Sequence, residues 1–279
     1  MNGENTLKPR ITPLTLLLQA VKERMSRVRA KILVISGKGG VGKSFISSSL
    51  ALALADLKYS VVLLDADLHG SSIPILLGMD NVKLYAGEKG ILPATGPLGI
   101  GVVSINLMLP EPDTPVIWRG PLKSKAIIEL LAKVHWGDRD FLIIDLPPGT
   151  GDEALTIIQS IHGLNGALIV TAPNILSEVI VAKAINFLRR SGIKVLGIVE
   201  NMSYFKCPET GKVYYLLGKS SGEELAEKYN TPLLAKIPLD PSIPEAIEKR
   251  KPYYVLYREN EAAKAIRELA EKLARELLS

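Results

Sequence analysis

An α/β fold with a mainly parallel sheet and helices on both faces is what this sequence predicts, and three observations carry that expectation. Short β-rich aliphatic runs recur along the chain, apolar at every position rather than every second one, as in strands buried on both faces. Helical patterns alternate with them, as the crossovers between parallel strands require. Gly37-Lys-Gly-Gly-Val-Gly-Lys-Ser44 lies between the first such run and the first such helix and satisfies the phosphate-loop pattern of a P-loop NTPase.

Taken in order, residues 31–36 read as the buried strand feeding this loop and residues 44–55 as the helix leaving it. Further strands are expected at 61–64, 141–144, 167–170, 195–199 and 233–237. The stretch 73–121 is irregular and rich in Gly and Pro. Within it, Gly90-Ile-Leu-Pro93 followed by 100–105 reads as a hairpin or an edge strand. A second excursion, 205–218, holds Pro208, Gly211 and the apolar run 213–217. The last helix, 261–278, aligns Ala262, Ile266, Leu269, Leu273 and Leu277 on one stripe, which suits core packing better than a membrane surface. Residues 1–29 are expected to form an N-terminal helical extension, and 30–279 one P-loop ATPase domain.

The 279 residues are 47% hydrophobic but only 5% aromatic, so the core must be aliphatic. A formal charge of +5 is scattered, without a run of five or six Lys/Arg, so nucleic acid is not an expected partner. The single cysteine excludes an intrachain disulfide and suits a reducing compartment. No apolar run has the length of a membrane span, and the stretch 11–20 lacks a small-x-small cleavage site and is followed at once by charges. A cytoplasmic location is expected.

The loop's chemistry follows from its residue types. Gly37, Gly39, Gly40, Val41 and Gly42 offer backbone N–H groups to phosphate oxygens of ATP, Lys43 on a solvent-facing rim neutralises the β/γ-phosphates, and Ser44 holds Mg²⁺. Asp145 ends the run 141–144 at the position of a carboxylate that binds Mg²⁺ through water. Pro147-Pro-Gly-Thr-Gly151 follows as a switch loop in which Gly149 and Gly151 keep their N–H groups free for a γ-phosphate. Asp65 and Asp67 close another strand, lie on one side of extended backbone, and are candidates to orient water or hold the Mg²⁺ shell. Lys38 is a second lysine inside the loop. It either points to solvent or reaches a partner's phosphates across a dimer.

The loop with its extra lysine resembles a wider class. Together with Leu64-Asp-Ala-Asp67, His69-Gly-Ser-Ser-Ile-Pro74, Trp118-Arg-Gly-Pro121, Ile144–Asp152, Gly197–Ser203 and Ile237-Pro-Leu-Asp240, it makes the chain similar to the Mrp/ApbC-type ATPases over about 30–258. These are relatives of MinD, ParA and the nitrogenase iron protein, in the SIMIBI/MinD-like branch of P-loop NTPases. The resemblance implies a homodimeric ATPase that carries an iron–sulfur cluster between its subunits and hands it to apo-proteins. It also implies that Lys38 acts in trans, Asp67 orients water, Asp65 and Asp145 serve the Mg²⁺ shell, and Asn201 contacts adenine. The family's cluster motif is Cys-Pro-x-Cys, whereas this chain has Cys207-Pro208-Glu209-Thr210. A dimer therefore offers two thiolates where a cluster normally takes four. Cys207 reads equally as a ligand or as an inert loop residue. Two other functions stay open: a spatial organiser of the MinD/ParA kind, and a metalloenzyme-maturation scaffold that holds no cluster.

Overall fold

The computed structural model describes residues 12–67, 70–88, 90–108, 120–173 and 177–278. Residues 1–11 of the expected extension, His69, Trp118 and Arg119 lie outside the described residues. In chain order the elements begin with α1 (Pro13–Met25), β1 (Val28–Ile35), α2 (Lys43–Asp56), β2 (Val61–Asp65), α3 (Ile73–Leu76), β3 (Tyr85–Gly87) and β4 (Gly90–Leu92). Next come β5 (Ala94–Thr95), β6 (Gly101–Ser104), α4 (Gly120–Lys133), β7 (Arg139–Asp145), α5 (Asp152–Ser160), β8 (Gly166–Thr171), α6 (Ser177–Arg190) and β9 (Val195–Glu200). The last are β10 (Phe205–Lys206), β11 (Val213–Tyr214), α7 (Gly222–Lys228), β12 (Leu233–Lys236), α8 (Ser242–Glu248), α9 (Tyr253–Leu256) and α10 (Glu261–Leu278).

The continuous apolar runs become an eight-stranded sheet in the order β12-β9-β8-β1-β7-β2-β6-β5. All neighbours run parallel except β5, which pairs antiparallel with β6 at the edge. Period-two alternation splits β1 between two cores. Ala30, Ile32 and Val34 face α2 and α10, while Leu33 and Ile35 face α1, α4, α5 and α6. Helix α2 is buried almost all round, its Ser47, Ser48 and Ser49 included, because the sheet lies beneath it and α10 lies over it. On α10, Ala262, Ile266, Leu269 and Leu273 of the expected stripe are buried in the core, with Leu277 partly buried against it.

Thr12 caps α1 by accepting the Thr15 N–H at 3.2 Å, and Pro13 supplies a preset first helical residue. Val21 and Met25 are 0% and 1% exposed in the core beneath α4. Burial of each stabilises the helix's docking by about 1.5–3 kcal/mol. Strand β1 starts at Val28, inside the stretch expected as extension, because Val28 pairs with Arg139 of β7. The irregular stretch divides in two. Gly90–Leu92 pairs with Tyr85–Gly87 in a separate ribbon, and the sheet's edge strand is Ala94–Thr95. The excursion 205–218 forms the two-stranded ribbon β10-β11, and the apolar run after Lys212 stays exposed.

Candidate functional site

Strand register sets the site. Val34 of β1 lies opposite Asp145, and Asp145 lies opposite Asp65 of β2, so both carboxylates stand at the carboxyl rim where the phosphate loop leaves β1. Gly40 and Gly42 both adopt φ +79°, which lets the loop turn back and start α2 without a side-chain cap. The uncapped N–H groups of α2's first turn, with the positive end of its dipole, make an anion site. Gly39, Gly40, Val41, Gly42, Lys43 and Ser44 line a cleft of about 330 Å³ there. Gly37 backs onto Ile180 of α6.

Asp145 is wholly buried and accepts from three side chains. Ser44 Oγ donates at 2.6 Å, Ser47 Oγ at 2.6 Å, and the Lys43 ammonium stands at 2.7 Å. Lys43 is therefore only 6% exposed, not on a solvent-facing rim, because its flexible stem folds back to the nearest buried anion. Ser47 escaped the sequence reading. Its signal was its place one turn after Ser44 on the same face, which sets it apart from Ser48 and Ser49 beside it.

The two aspartates expected to close one strand part company. The strand ends at Asp65, so the alternation that would keep Asp67 on the same side ends with it. Asp65 turns inward, 1% exposed, and takes hydrogen bonds from the Ser71 hydroxyl, from Ser104 Oγ at 3.1 Å and from Asp67 N at 3.2 Å. Burial, and then repulsion from Asp145, raise its pKa to about 7. Asp67 instead lines the phosphate-loop cleft and accepts the Gly70 N–H at 2.9 Å. Ser71 stands in a motif the sequence analysis quotes and Ser104 does not, but the contact of either with Asp65 was not legible, since only the fold brings them together.

Lys38 is partly buried, and its carbonyl accepts from Ser36 Oγ at 2.9 Å. Its ammonium makes no ion pair among the described residues. The Gly149 N–H, expected free for a γ-phosphate, donates to the Ser36 carbonyl at 2.8 Å and holds the switch loop against the end of β1. Asn201, expected at adenine, spends its amide on the Val41 carbonyl at 3.0 Å and so clamps the phosphate loop.

For Mg²⁺ the donors fit. The Ser44 hydroxyl and the Asp145 carboxylate are hard oxygen ligands, with the Lys43 cation already against them. Among the described residues no group of three or more His, Cys, Asp or Glu could hold a metal ion. Mg²⁺ needs none, since it binds through one or two carboxylates plus phosphates and keeps several waters.

Cys207 sits away from this cleft, at the turn of the β10-β11 ribbon. Its sulfur is partly exposed, and hydrogen bonds from the Thr210 hydroxyl and the N–H groups of Thr210 and Glu209 hold its pKa below the ordinary thiol value. The ribbon closes through Cys207 N–H to the Lys212 carbonyl and Gly211 N–H to the Cys207 carbonyl, both 2.9 Å. A larger cleft of about 480 Å³ opens beside it, lined also by Lys206, Asp240 and Asn260. No helix among the described residues is long and apolar enough to cross a membrane.

Comparison with known proteins agrees with this geometry. Residues 27–274 match the ParA family described as NUBPL iron-transfer P-loop NTPase. The chain is 49% identical over 253 residues to a Saccharolobus solfataricus protein named iron-sulfur cluster carrier protein, covering 91% of this chain and 86% of that one. Among solved structures, the nucleotide-binding protein of Archaeoglobus fulgidus in complex with ADP superimposes with a TM-score of 0.75 at 40% identity, covering 84% of this chain and 92% of that one. The cell division ATPase MinD of Pyrococcus furiosus shares the fold at TM-score 0.64 and 25% identity, over 89% and 99% of the two chains.

Proposed function

The chain belongs to the ParA family of NUBPL-type iron-transfer P-loop NTPases, and on that footing we propose that it is a cytoplasmic, homodimeric, Mg²⁺-dependent ATPase that carries an iron–sulfur cluster to apo-proteins. The observation that carries the ATPase half is buried Asp145 held by Lys43 and Ser44, which line one cleft together with Asp67. The carrier half rests on the family and on an exposed thiol whose neighbours favour its thiolate.

On ATP binding, Lys43 leaves Asp145 for the β/γ-phosphates, while the first-turn N–H groups of α2 and the loop amides hold the phosphate oxygens. Ser44 and Asp145 would hold Mg²⁺, with Asp65 behind them. The bound ion would supply positive charge against the charge that builds on the transferring phosphoryl group. Asp67 orients the attacking water from across the cleft, and Lys38 reaches the phosphates of the partner subunit. Hydrolysis is thereby tied to dimerisation, and the dimer brings two Cys207 thiolates to the two-fold axis.

Thr210 in place of a second cysteine favours one alternative, a maturation scaffold that binds client proteins and no cluster. Anaerobic reconstitution with iron and sulfide separates the two. The carrier reading expects an air-labile cluster that forms only in the dimer, gains lifetime from an added small thiol, and is lost in Cys207→Ser with ATP hydrolysis unchanged. Equal iron content in wild type and Cys207→Ser would leave the scaffold as the better account.

A further inference from the structure

Glu200 ends β9 as a fully buried carboxylate with no cationic partner among the described residues. Its charge is met entirely by neutral donors. One oxygen accepts the N–H groups of Ser221 at 3.0 Å and Gly222 at 2.9 Å, at the start of α7. The other accepts the hydroxyls of Ser203 and Ser220, the latter at 2.6 Å. Ser203 and Ser220 flank the excursion that carries Cys207, so a single carboxylate oxygen pins both ends of that excursion. Neither the nucleotide chemistry nor the thiol chemistry described above uses this group.

The next residue in the chain is Asn201, whose amide clamps the Val41 carbonyl of the phosphate loop. The turn between the two attachments is held in an unfavourable form. Met202 has φ +54°, a left-handed conformation that a long side chain rarely adopts, and its methyl lies against the position a Cβ on Gly42 would take. Ser221 Oγ is buried and finds no hydrogen-bond partner among the described residues. A strained turn and an orphaned hydroxyl thus both stand beside a carboxylate that uses all its acceptor sites.

We propose that Glu200 is a positioning residue that couples the state of the phosphate loop to the placement of the Cys207 ribbon. Movement of the Val41 carbonyl when phosphates enter the loop shifts Asn201, and through the adjoining backbone it shifts the carboxylate that holds Ser203 and Ser220. The ribbon base loosens or tightens accordingly. This deepens the proposed function by giving ATP a route to the thiol, yet it stands without any cluster, because the thiol itself reports it.

The test is the rate of Cys207 alkylation by iodoacetamide in the full-length, iron-free protein, with and without Mg²⁺ and adenylyl imidodiphosphate. In wild type the nucleotide is expected to change the rate by about fivefold or more, the lower range of site-to-site coupling. Ser203→Ala/Ser220→Ala, which keeps both backbone bonds to Glu200, is expected to abolish the change while nucleotide affinity measured by calorimetry stays the same. Ser220→Thr keeps a hydroxyl and is expected to retain the change, which a merely structural role would not require. Ser220→Ala alone, expected to weaken the change, decides the matter if the double variant does not fold. A wild-type rate indifferent to nucleotide, or a nucleotide effect that survives both alanine variants, overturns the proposal.

Discussion

The Lys43 ammonium stands 2.7 Å from the Asp145 carboxylate, and both are buried. The charge that will meet the phosphates is thus held by the charge that will meet Mg²⁺, and each must exchange its partner when Mg²⁺–ATP binds.

Lys43→Ala therefore has two expected effects. It removes productive ATP binding, and it leaves Asp145 buried without its counter-charge, a loss of about 3–5 kcal/mol. Chemical denaturation of Lys43→Ala beside Lys43→Ala/Asp145→Asn separates them, since the second change should restore stability but not binding. Normal nucleotide affinity in the single variant would overturn the assignment of the loop.

Lys38 lacks an ion-pair partner among the described residues, so its removal is expected to leave the protomer's stability unchanged. Lys38→Ala should bind ATP, dimerise less with a non-hydrolysable analogue, and turn over about a thousandfold more slowly, the scale of a trans-acting cation in phosphoryl transfer. Sedimentation and turnover both equal to wild type would make Lys38 ordinary surface.

The strands, the phosphate loop and the stripe of α10 were legible in the sequence because each depends on local period or on a fixed spacing. Side-chain partners in the site were not. Whether Lys43 faces solvent or Asp145 depends on which strand neighbours β1, and Asp65 meets Ser104 only because β2 pairs with β6. Asp67 left the side that alternation assigns it because β2 stops at Asp65. Cys207 could be named, but its lowered pKa comes from the turn that aims Thr210 and Glu209 at the sulfur.

Asp67→Asn keeps the size of the side chain and its acceptor for the Gly70 N–H while removing the charge. Hydrolysis is expected to fall by about a hundredfold or more, as for loss of a group that handles the proton of the attacking water. ATP should remain trapped in a persistent dimer, measured by single-turnover product release. Ordinary turnover would pass the role to Asp65, to Asp152 or to a water positioned by the backbone.

Asp140 joins β7 to the start of β2. It accepts the Ser60 N–H at 2.9 Å and the Ser60 hydroxyl at 2.8 Å, and it meets Arg29 at 2.9 Å. The Ser60 backbone bond leads the causes that hold its pKa below the usual carboxylate value. A depressed folded-state pKa gives stability that is present above the unfolded value, about pH 4, and is lost as pH falls through the folded one. The stability advantage of wild type over Asp140→Asn should therefore be constant near neutral pH and shrink below about pH 4. An advantage that persists undiminished into stronger acid would show that the charge contributes nothing.

Gly40 and Gly42 share φ +79° but differ in their surroundings. A Cβ on Gly40 would meet nothing within 4 Å, whereas one on Gly42 would lie 2.2 Å from Asn201 Nδ2, the atom that clamps the Val41 carbonyl. Gly40→Ala should cost only the left-handed strain, about 1–2 kcal/mol. Gly42→Ala should cost more, because it carries the same strain and also displaces the Asn201 amide, leaving a buried polar group unpaired at about 1–3 kcal/mol. Asn201→Ala in the Gly42→Ala background clears the clash and should recover part of that excess, while the same substitution in wild type only destabilises. The sign reversal is the measurement, read by denaturation of the four variants. Equal losses in Gly40→Ala and Gly42→Ala would mean that Asn201 moves aside freely and does not hold the phosphate loop.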